Sequence, residues 1–508
     1  ETAALTGSAA QLPREVWRRH VFPRLWYRRG AAGVEDPAEA SAEASAAWAA
    51  RLACRSFAVD IAAAAALCVQ LHPAWLPGPP GWQSHFPGLR AISFSRLEPG
   101  QGLDQQQQGA QDEEGGVHPT VAQISAAICP SLTAVDLSDC GGPRGLRAPQ
   151  LTALSDLPGL LDLRLRSCFH TGCYGGAELA SMASTDALAG VMASMAVLSG
   201  MTTLTSLDLS YCDALTNQHV AAAVSRLTRL QRLELTGCSQ VTDGVLPSLA
   251  PLQSLQSLCA AHCYDMLSAS APSLAALTAL TELDLTHCYH LSMPGLLAGA
   301  ACLPSLSALY LAGCDALVGG DLGALGRLPS LTKLSLRENE DLQLSAALLG
   351  ALPRLRSLDL ADCFLIGAAD LAPLHLLPHL NTLCLDSCVK VGDEALDALT
   401  GCAELRNLSL AKCYQVTDEG LGKLASLPQL TALDISCIVR VTDAGLLELQ
   451  AAPSLAHLNA GGCSVTACGV GLLLSQLPRV HITFRARTPV FTWATEGCHH
   501  HQASGTTW

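Results

Sequence analysis

The chain has 508 residues, is 49% hydrophobic but only 4% aromatic, and carries a formal net charge of −14. That acidity argues against a nucleic-acid or membrane-surface binder, which needs a broad basic surface, and no apolar run approaches the roughly 20 residues of a membrane span. No signal pattern opens the chain, and its 22 cysteines lack the spacing of a disulfide scaffold. We therefore expect reduced thiols in an intracellular protein, cytoplasmic, nuclear or ciliary, and not secreted.

Residues 1–70 predict a helical module, because apolar residues recur there at helical spacing in two stretches. The first stretch reads L-P-x-E-V-x-x-x-x-x-F-x-x-L, and the second reads L-A-C-R-S-F. This order resembles the F-box, a three-helix module that docks on the Skp-type adaptor of cullin–RING ubiquitin ligases. The resemblance implies that the adaptor-binding residues are Leu12, Pro13, Val16, Val21, Phe22, Leu25, Leu52 and Cys54.

The segment departs from the F-box pattern in two places. Residues 26–47, between the two stretches, are longer than the family norm and rich in Ala and Glu, and Phe57 stands where tryptophan is usual. Solenoid proteins also need a cap that closes their first repeat. A plain helical cap is therefore the alternative interpretation of this segment.

Residues 89–485 are filled by a repeat, whose step is 24 to 26 residues from position 212 onward. Each copy reads L-x-x-L-x-L-x-x-C, and many continue with a Thr or Asp that predicts a helix N-cap, as at Thr417 and Asp418, where a side-chain oxygen can accept from free backbone amides. The alternation L-x-L predicts a short strand with its leucines inward, and Leu421, Leu424 and Leu427 mark a helix face. We count fourteen strands, starting at residues 89–94, and expect a capping strand at residues 480–484.

One strand and one helix per repeat predict an α/β fold, a curved solenoid with parallel strands on its concave face. The repeat resembles the cysteine-containing subclass of leucine-rich repeats over about residues 85–485. Together with the N-terminal segment, the whole chain resembles the F-box–LRR proteins.

Four other segments interrupt or flank the array. Residues 71–88 are rich in Pro and Gly and predict a linker, and residues 99–116 are a low-complexity insertion that we expect to be disordered. A second insertion, residues 172–200, contains three methionines and many alanines and predicts an extended helix. Residues 486–508 predict an unstructured tail.

The cysteine that ends each strand pattern could bind a metal, serve redox chemistry or pack. We call its position the slot; Asn339 and Ile438 fill it in two repeats. A metal or redox role would not accept isoleucine, so we interpret slot cysteines as small buried side chains whose S–H donates to turn carbonyls. The slot cysteines are Cys140, Cys168, Cys212, Cys238, Cys263, Cys288, Cys314, Cys363, Cys388, Cys413 and Cys463.

The sequence offers little for catalysis. It contains no P-loop, no H-E-x-x-H, no G-x-S-x-G and no C-x-x-C, so we expect neither an enzyme nor a bound cofactor. His262, His287 and His290 lie in adjacent repeats and leave a zinc site as the alternative, although histidines on a turn are ordinary polar surface.

The concave face is the candidate binding surface, because solenoids usually bind through it. Of thirteen residues between paired strand leucines, six are carboxylates and one is basic, so we expect a protein partner with a basic segment; solubility alone is the alternative. Sparse Arg and Lys argue against the phosphorylated cofactor that F-box–LRR hormone receptors hold. The candidate partner-binding residues are Asp208, Glu234, Asp284, Tyr310, Arg337, Asp359 and Asp434.

Two functions follow from these expectations and the resemblance. The first is a substrate receptor of a cullin–RING ubiquitin ligase, with the F-box-like segment on the adaptor and the concave face on the target. The second is an architectural subunit of a large assembly, such as the ciliary dynein-regulatory complex, without ligase activity. Neither function predicts nucleic acid or a membrane as a partner.

Overall fold

The computed structural model describes most of the residues of the repeat array. The chain divides into two compact units, Glu1–Asp208 and Leu209–Trp508. Among the described residues no helix has the length and apolar character needed to cross a membrane. The described residues are 67–70, 89–93, 132–139, 146, 148–169, 185–266, 271–291, 296, 303–314, 317, 322–328 and 330–484.

In the first unit, five described strands pair in parallel in chain order. They are β1 (Leu67–Gln70), β2 (Leu89–Ser93), β3 (Ala134–Asp136), β4 (Asp162–Arg164) and β5 (Ser206–Asp208). Helix α1 (Ala148–Ser155) follows β3, and α2 (Thr185–Leu198) follows β4. Helix α2 confirms the extended helix expected in the second insertion.

Strand β1 corrects the prediction of a helical module that reaches residue 70. It pairs with β2 in parallel, with a register shift between Leu67 and Cys68. The apolar run around it fits a short strand as well as a helix, because short apolar runs do not distinguish the two by periodicity. The parallel strands therefore start before residue 89, where the sequence placed the first of them.

In the second unit, strands β6 to β16 are each three residues long and pair in parallel with their sequence neighbours. They are Arg232–Glu234, Ser257–Cys259, Glu282–Asp284, Ala308–Tyr310, Lys333–Ser335, Ser357–Asp359, Thr382–Cys384, Asn407–Ser409, Ala432–Asp434, His457–Asn459 and His481–Thr483. The fourteen predicted strands are β2 to β15, and β16 is the capping strand.

The return segments of the second unit are short α-helices and 3₁₀ helices. The α-helices are α3 (Asn217–Val224), α4 (Leu246–Leu249), α5 (Ala346–Gly350), α6 (Ala368–Leu371), α7 (Asp393–Leu399), α8 (Asp418–Leu424), α9 (Asp443–Glu448) and α10 (Ala467–Gln476). The 3₁₀ helices are Asp243–Val245, Ala271–Ala276, Leu322–Arg327, Ala372–Leu376 and Leu449–Ala451.

The core lies between the strands and these return segments. The middle leucine of each strand from β4 to β15 and the predicted helix face, Leu421, Leu424 and Leu427, are at most 2% exposed. Burying one such side chain stabilises the fold by roughly 1.5–3 kcal/mol. The predicted inward face of the strands is therefore confirmed.

The slot side chains among the described residues are buried, and their thiols donate to carbonyls as the sequence predicted, whereas Cys140 lies outside the described residues. Cys413 Sγ donates to the Leu385 carbonyl at 3.0 Å, and Cys388 Sγ makes the same bond to Leu360 at 3.1 Å. In the slot of its own repeat, Asn339 Nδ2 donates to the Leu311 carbonyl at 2.9 Å. Burial raises the pKa of the Cys388 thiol to about 12, so it is protonated and able to donate at neutral pH.

A residue with left-handed backbone precedes the slot in every described repeat, and we call these residues together the left-handed column. Thirteen residues have φ between 54° and 78°, although only three are glycine: Asp139, Ser167, Tyr211, Gly237, His262, His287, Gly313, Glu338, Asp362, Ser387, Lys412, Cys437 and Gly462. This backbone costs a non-glycine residue about 1 kcal/mol. It lets the Lys412 amide donate to the next repeat while the Cys413 amide turns back to Leu410.

Candidate partner-binding face

The predicted concave face corresponds, in the second unit, to what we call the strand face. It consists of the first and third residues of β6 to β16 and the residue two positions after the third, because alternate side chains of a strand share one face. The paired strands align these residues in columns, for example Glu282, Ala308 and Lys333 in the first column. The third-position column holds Glu234, Asp284, Tyr310, Asp359 and Asp434 among the predicted residues.

Three aspartates of this column fold back on their own chain. Asp284 Oδ1 accepts from the Thr286 amide at 2.9 Å, and Asp434 Oδ1 accepts from the Ser436 amide at 2.8 Å. Asp359 Oδ1 accepts from its own backbone two residues on, at 3.1 Å. Each side chain satisfies the amide just after its strand, which is an Asx-type turn. The three carboxylates therefore have a local structural role that the sequence analysis missed.

The second oxygen of each aspartate reaches a neighbouring strand. Asp359 Oδ2 accepts from Ser335 Oγ at 3.2 Å, and Asp434 Oδ2 accepts from Asn459 Nδ2 at 2.8 Å. Asp284 Oδ2 lies 3.5 Å from Cys259 Sγ. All of these donors are neutral, and within the described residues no Lys, Arg or His nitrogen lies within 4.0 Å of the three carboxylates. Arg337 interacts electrostatically with Asp359 without such a contact. The hydrogen bonds instead fix the direction of each charge.

Tyr310 joins a small cluster with its two neighbours in the first column. Its hydroxyl donates to Glu282 Oε1 at 3.0 Å, and Lys333 Nζ lies 5.1 Å from the centre of its ring. Burial and the neighbouring Glu282 raise the pKa of the Tyr310 hydroxyl, which stays a neutral donor. A lysine over a tyrosine ring is a cation–π contact worth about 0.5–1 kcal/mol at an exposed site.

Arg337 is paired rather than available as a separate cation. Its guanidinium donates to Asp362 Oδ2 at 2.9 Å and to Glu338 Oε1 at 3.0 Å. Burial alone would lower its pKa, but Asp362, Asp359 and Glu338 together raise it. Since the partners Glu338 and Asp362 occupy the left-handed column, they were not part of the predicted face, and no local sequence signal marked them.

Burial favours the neutral, protonated forms of two further groups of the strand face. Burial raises the pKa of Asp386, although Ser409, Cys384 and the Ala411 amide act in the opposite direction by hydrogen bonding. Burial and the carboxylates of Asp386 and Asp359 raise the pKa of the Cys384 thiol. A thiol held protonated is a weak nucleophile and a poor metal ligand.

The structure brings some of the predicted residues into one face and leaves others outside it. Glu234, Asp284, Tyr310, Arg337, Asp359 and Asp434 lie on the strand face of the second unit, whereas Asp208 ends β5 in the first unit. The predicted adaptor-binding residues, Leu12, Pro13, Val16, Val21, Phe22, Leu25, Leu52 and Cys54, lie outside the described residues.

Two histidine rings of adjacent repeats lie in contact, tilted relative to each other. The ring centroids of His262 and His287 are 4.5 Å apart, and His287 Nε2 lies 3.3 Å from Glu338 Oε2. His290 points elsewhere, with Nε2 4.0 Å from Asp265 Oδ1. Across the described part of the chain, no group of three or more His, Cys, Asp or Glu side chains has an arrangement that could hold a metal ion.

Comparisons with known proteins bear on the repeats. No curated protein matches the chain in sequence. Among solved structures, an internalin from Listeria monocytogenes str. 4b F2365 is 19% identical, with a TM-score of 0.43, over 66% of this chain and 83% of its own. A chain of the Rad7 and Elc1 complex in yeast is 18% identical, with a TM-score of 0.41, over 70% of this chain and 79% of its own.

The family comparison agrees with the geometry described above. Residues 187–395 match the family model described as a leucine-rich repeat region. The matched segment contains the strands β5 to β12, the slot cysteines between them and their return segments. Repeats of this kind indicate a protein-interaction module, typically a non-catalytic scaffold. The repeat array is an α/β leucine-rich-repeat solenoid.

Proposed function

We propose that the chain recognises a partner protein by binding a basic, extended segment of it on the strand face of the second unit. The observation that supports this is the placement of Asp284, Asp359 and Asp434. They end β8, β11 and β14, so each is three strands from the next. Three steps of about 4.8 Å place these carboxylates about 14 Å apart.

That spacing selects one pattern of cations. In an extended peptide, residues four apart lie on the same side and are about 13.6 Å apart. A segment with Lys or Arg at every fourth position, running across the strands, matches the three aspartates. Because each aspartate is already oriented by its hydrogen bonds, little side-chain entropy is lost when the cation arrives.

The test uses the full chain and two labelled peptides of thirteen residues. The first carries Arg at positions 1, 5, 9 and 13 in a Ser/Gly/Ala background, and the second has the same composition with Arg at every third position. We expect the first to bind at least about tenfold more tightly in fluorescence anisotropy at low salt. Equal affinities would contradict the spacing argument, and no binding of either would contradict the proposal.

The matched protein variant replaces Asp284, Asp359 and Asp434 with Asn. Asparagine keeps an oxygen that can accept from the backbone amide, whereas lysine would remove that bond. We expect the triple Asn variant to fold, by circular dichroism, and to lose at least about tenfold in affinity. The control is Asp341→Asn, an exposed carboxylate away from the strand face.

The finer form of the proposal is a substrate-recognition subunit of a cullin–RING (SCF-type) ubiquitin ligase. Its support is the F-box resemblance of Leu12, Pro13, Val16, Val21 and Phe22. In that arrangement the N-terminal segment binds a Skp-type adaptor and the strand face binds the target. Replacing Leu12 and Pro13 with Ala should remove the adaptor from a pull-down and leave the circular dichroism spectrum unchanged. Retention of the adaptor would contradict this form.

The second candidate is an architectural subunit of a large assembly, such as the ciliary or axonemal dynein-regulatory complex. The lengthened residues 26–47 and Phe57 favour it, because they depart from the F-box pattern. The two candidates differ in what happens to the partner when the protein is removed from cells. The ligase predicts that the partner accumulates, whereas the scaffold predicts constant partner abundance and a disrupted assembly.

A further inference from the structure

Four exposed apolar side chains follow the slot in four consecutive repeats. Phe364, Val389, Tyr414 and Val439 are 37%, 40%, 49% and 41% exposed, whereas the slot residue before each is fully buried. Single exposed apolar residues are normal on protein surfaces, but a contiguous row marks an interaction site. We call these four residues the turn ridge.

The turns keep the ridge side chains in register. The Ser387 amide donates to the Ala411 carbonyl at 2.7 Å, and the Lys412 amide donates to the Ser436 carbonyl at 2.8 Å. Successive ridge residues are therefore separated by the strand spacing of about 4.8 Å. At the same position of two earlier repeats, the rings of Tyr264 and Tyr289 stack with centroids 5.3 Å apart.

Basic residues flank the ridge. Lys390, Lys412 and Arg440 are exposed, and among the described residues none of them has a carboxylate within 4.0 Å. Lys390 and Arg440 directly follow Val389 and Val439 along the chain, and Lys412 lies two residues before Tyr414. Since the chain as a whole carries a net charge of −14, this is a local cationic strip on an acidic protein.

The spacing of the ridge residues indicates whether a bound partner segment is a helix or an extended strand. Apolar residues at the a and d positions of an amphipathic helix recur every 3.5 residues on average, or about every 5.3 Å along its axis. Same-side residues of an extended strand recur about every 6.8 Å. Over the three steps of the ridge a helix accumulates about 1.5 Å of mismatch and a strand about 6 Å, so only the helix keeps all four contacts.

We propose that the turn ridge binds an acidic amphipathic α-helix of another protein, with the helix axis along the ridge. The apolar a and d positions of that helix contact the four ridge residues, and its Glu or Asp side chains meet Lys390, Lys412 and Arg440. A second copy of this chain does not fit, because ridge against ridge would bring the same cations together. The site differs from the strand face, whose proposed ligand is basic and extended.

The experiment uses the full chain and a fluorescein-labelled peptide of fifteen residues. The peptide has Leu at a and d positions, Glu on both flanks and Ala elsewhere. One control peptide has the same composition with Leu at every second position, and another has Lys in place of Glu. We expect the amphipathic acidic peptide to bind at least about tenfold more tightly than either control, with affinity falling as salt rises.

Protein variants locate the binding. Val389→Ser with Tyr414→Ser removes exposed apolar surface and should weaken the peptide at least about tenfold. Leu472→Ser is the matched control, because this side chain is also 49% exposed but lies on helix α10. Lys390→Glu with Arg440→Glu should weaken the acidic peptide and strengthen the lysine peptide. The triple Asn variant of the strand face should bind the acidic peptide normally, which separates this proposal from the proposed function.

Three results would overturn the proposal. The first is equal binding of the amphipathic and strand-patterned peptides. The second is loss of binding in Leu472→Ser but not in the ridge double variant. The third is a dimer in sedimentation that forms without peptide and dissociates in the ridge variant, which would make the ridge an interface between copies of this chain.

Discussion

Each repeat has a strand half, made of the strand and the slot, and a return half, made of the helical return segment. Two regions of the second unit share the strand half but differ in the return half. From β7 to β10, the described return segments are 3₁₀ helices, Ala271–Ala276 and Leu322–Arg327. From α7 to α10, each return segment contains an α-helix of six to ten residues. The slot bonds are alike in the two regions, with Cys288 and Cys413 each donating to a carbonyl of the preceding repeat. The return half therefore varies independently of the strand half.

A carboxylate at the start of α7, α8 and α9 links each of these helices to the next repeat in the regular region. Asp418 accepts from Thr442 of the next repeat twice, from the backbone amide at 2.8 Å and from Oγ1 at 2.7 Å. Asp393 bonds Thr417 in the same way, at 2.9 and 2.6 Å, and Asp443 bonds Thr466 at 2.7 and 2.6 Å. We call this series the Asp–Thr ladder. It fixes each helix start relative to the next, and a carboxylate at a helix N-terminus also favours the helix dipole.

The ladder revises one detail of the sequence interpretation. Thr417 occupies the N-cap of α8 as predicted, but its side chain accepts no cap hydrogen bond and instead donates to Asp393. Thr442 does both, since its Oγ1 also accepts from the Ala444 amide at 3.2 Å. The threonine therefore links two repeats as well as capping its own helix.

Substitutions of the slot cysteines should have the largest effect, and they test the strand half that the two regions share. Cys413→Arg and Cys288→Arg each place a charge and extra volume in a fully buried slot, and each should cost about 3–5 kcal/mol of unfolding free energy. Both changes to Ala should cost only about 1 kcal/mol, the value of a lost weak hydrogen bond and a small cavity. Urea unfolding of the full chain measures both. If only one of the two arginine substitutions lowers the unfolding free energy, the slots of the two regions are not equivalent.

The next effect removes one step of the Asp–Thr ladder. Asp418→Ala removes the acceptor of both the Thr442 amide and its hydroxyl, and because Thr442 is exposed, water can take its place, so we expect a loss of about 1–2 kcal/mol. The control Asp341→Ala lies outside the ladder and is exposed, so it should change stability by less than about 0.5 kcal/mol. Hydrogen exchange of the Thr442 amide should accelerate in the first variant only. Equal effects of the two substitutions would contradict the role of the ladder.

A comparable or smaller effect separates two glycines of one helix. In α10, a Cβ on Gly469 would meet the Asp443 carboxylate, whereas a Cβ on Gly471 would meet nothing within 4 Å. Gly469→Ala should therefore destabilise by about 1–2 kcal/mol through crowding, despite the higher helix propensity of alanine. Gly471→Ala should stabilise by about 0.5–1 kcal/mol. The two melting temperatures should move in opposite directions, and movement in the same direction would contradict the crowding.

The sequence predicts the strand half better than the return half for a physical reason. Leucine alternation and slot chemistry are local signals, so the positions of Leu408, Leu410 and Cys413 followed from one repeat. The Asp–Thr bonds join residues 23 or 24 apart, and only the recurring T-D-x-G, with its glycine beside the preceding carboxylate, could have indicated them. The left-handed residues gave no clear signal, because ten of the thirteen are not glycine.

The sequence predicted which residues lie on the candidate face but not the hydrogen bonds that their side chains make. The columns of the strand face follow from strand alternation, which is why Asp284, Asp359 and Asp434 could be chosen in advance. Their hydrogen bonds to the amide two residues on depend on the turn after the strand, and the left-handed residue that shapes this turn was not foreseen. The pairing of Arg337 with Asp362 likewise joins two repeats.

The smallest expected effect concerns a single carboxylate of the strand half, Asp386, next to the regular helices. Burial raises its pKa above the value it has in the unfolded chain. The folded state then binds more protons than the unfolded state as pH rises above about 4, so this group favours folding at low pH and this contribution is lost as pH rises through the folded pKa. Asp386→Asn keeps an oxygen that can accept from Ser409 and the Ala411 amide, so it should alter stability at pH 7 by no more than about 1 kcal/mol.

The informative measurement for Asp386 is the difference between variant and parent across pH. Because ionised Asp386 is the less favourable form in the fold, the Asn variant should gain stability relative to the parent as pH rises from about 4 to 7. Asp341→Asn, an exposed carboxylate outside this cluster, is the matched control for the loss of one charge. If the Asn variant instead loses stability relative to the parent over this range, the ionised carboxylate is stabilising. The bonds from Ser409, Cys384 and Ala411 would then outweigh its burial.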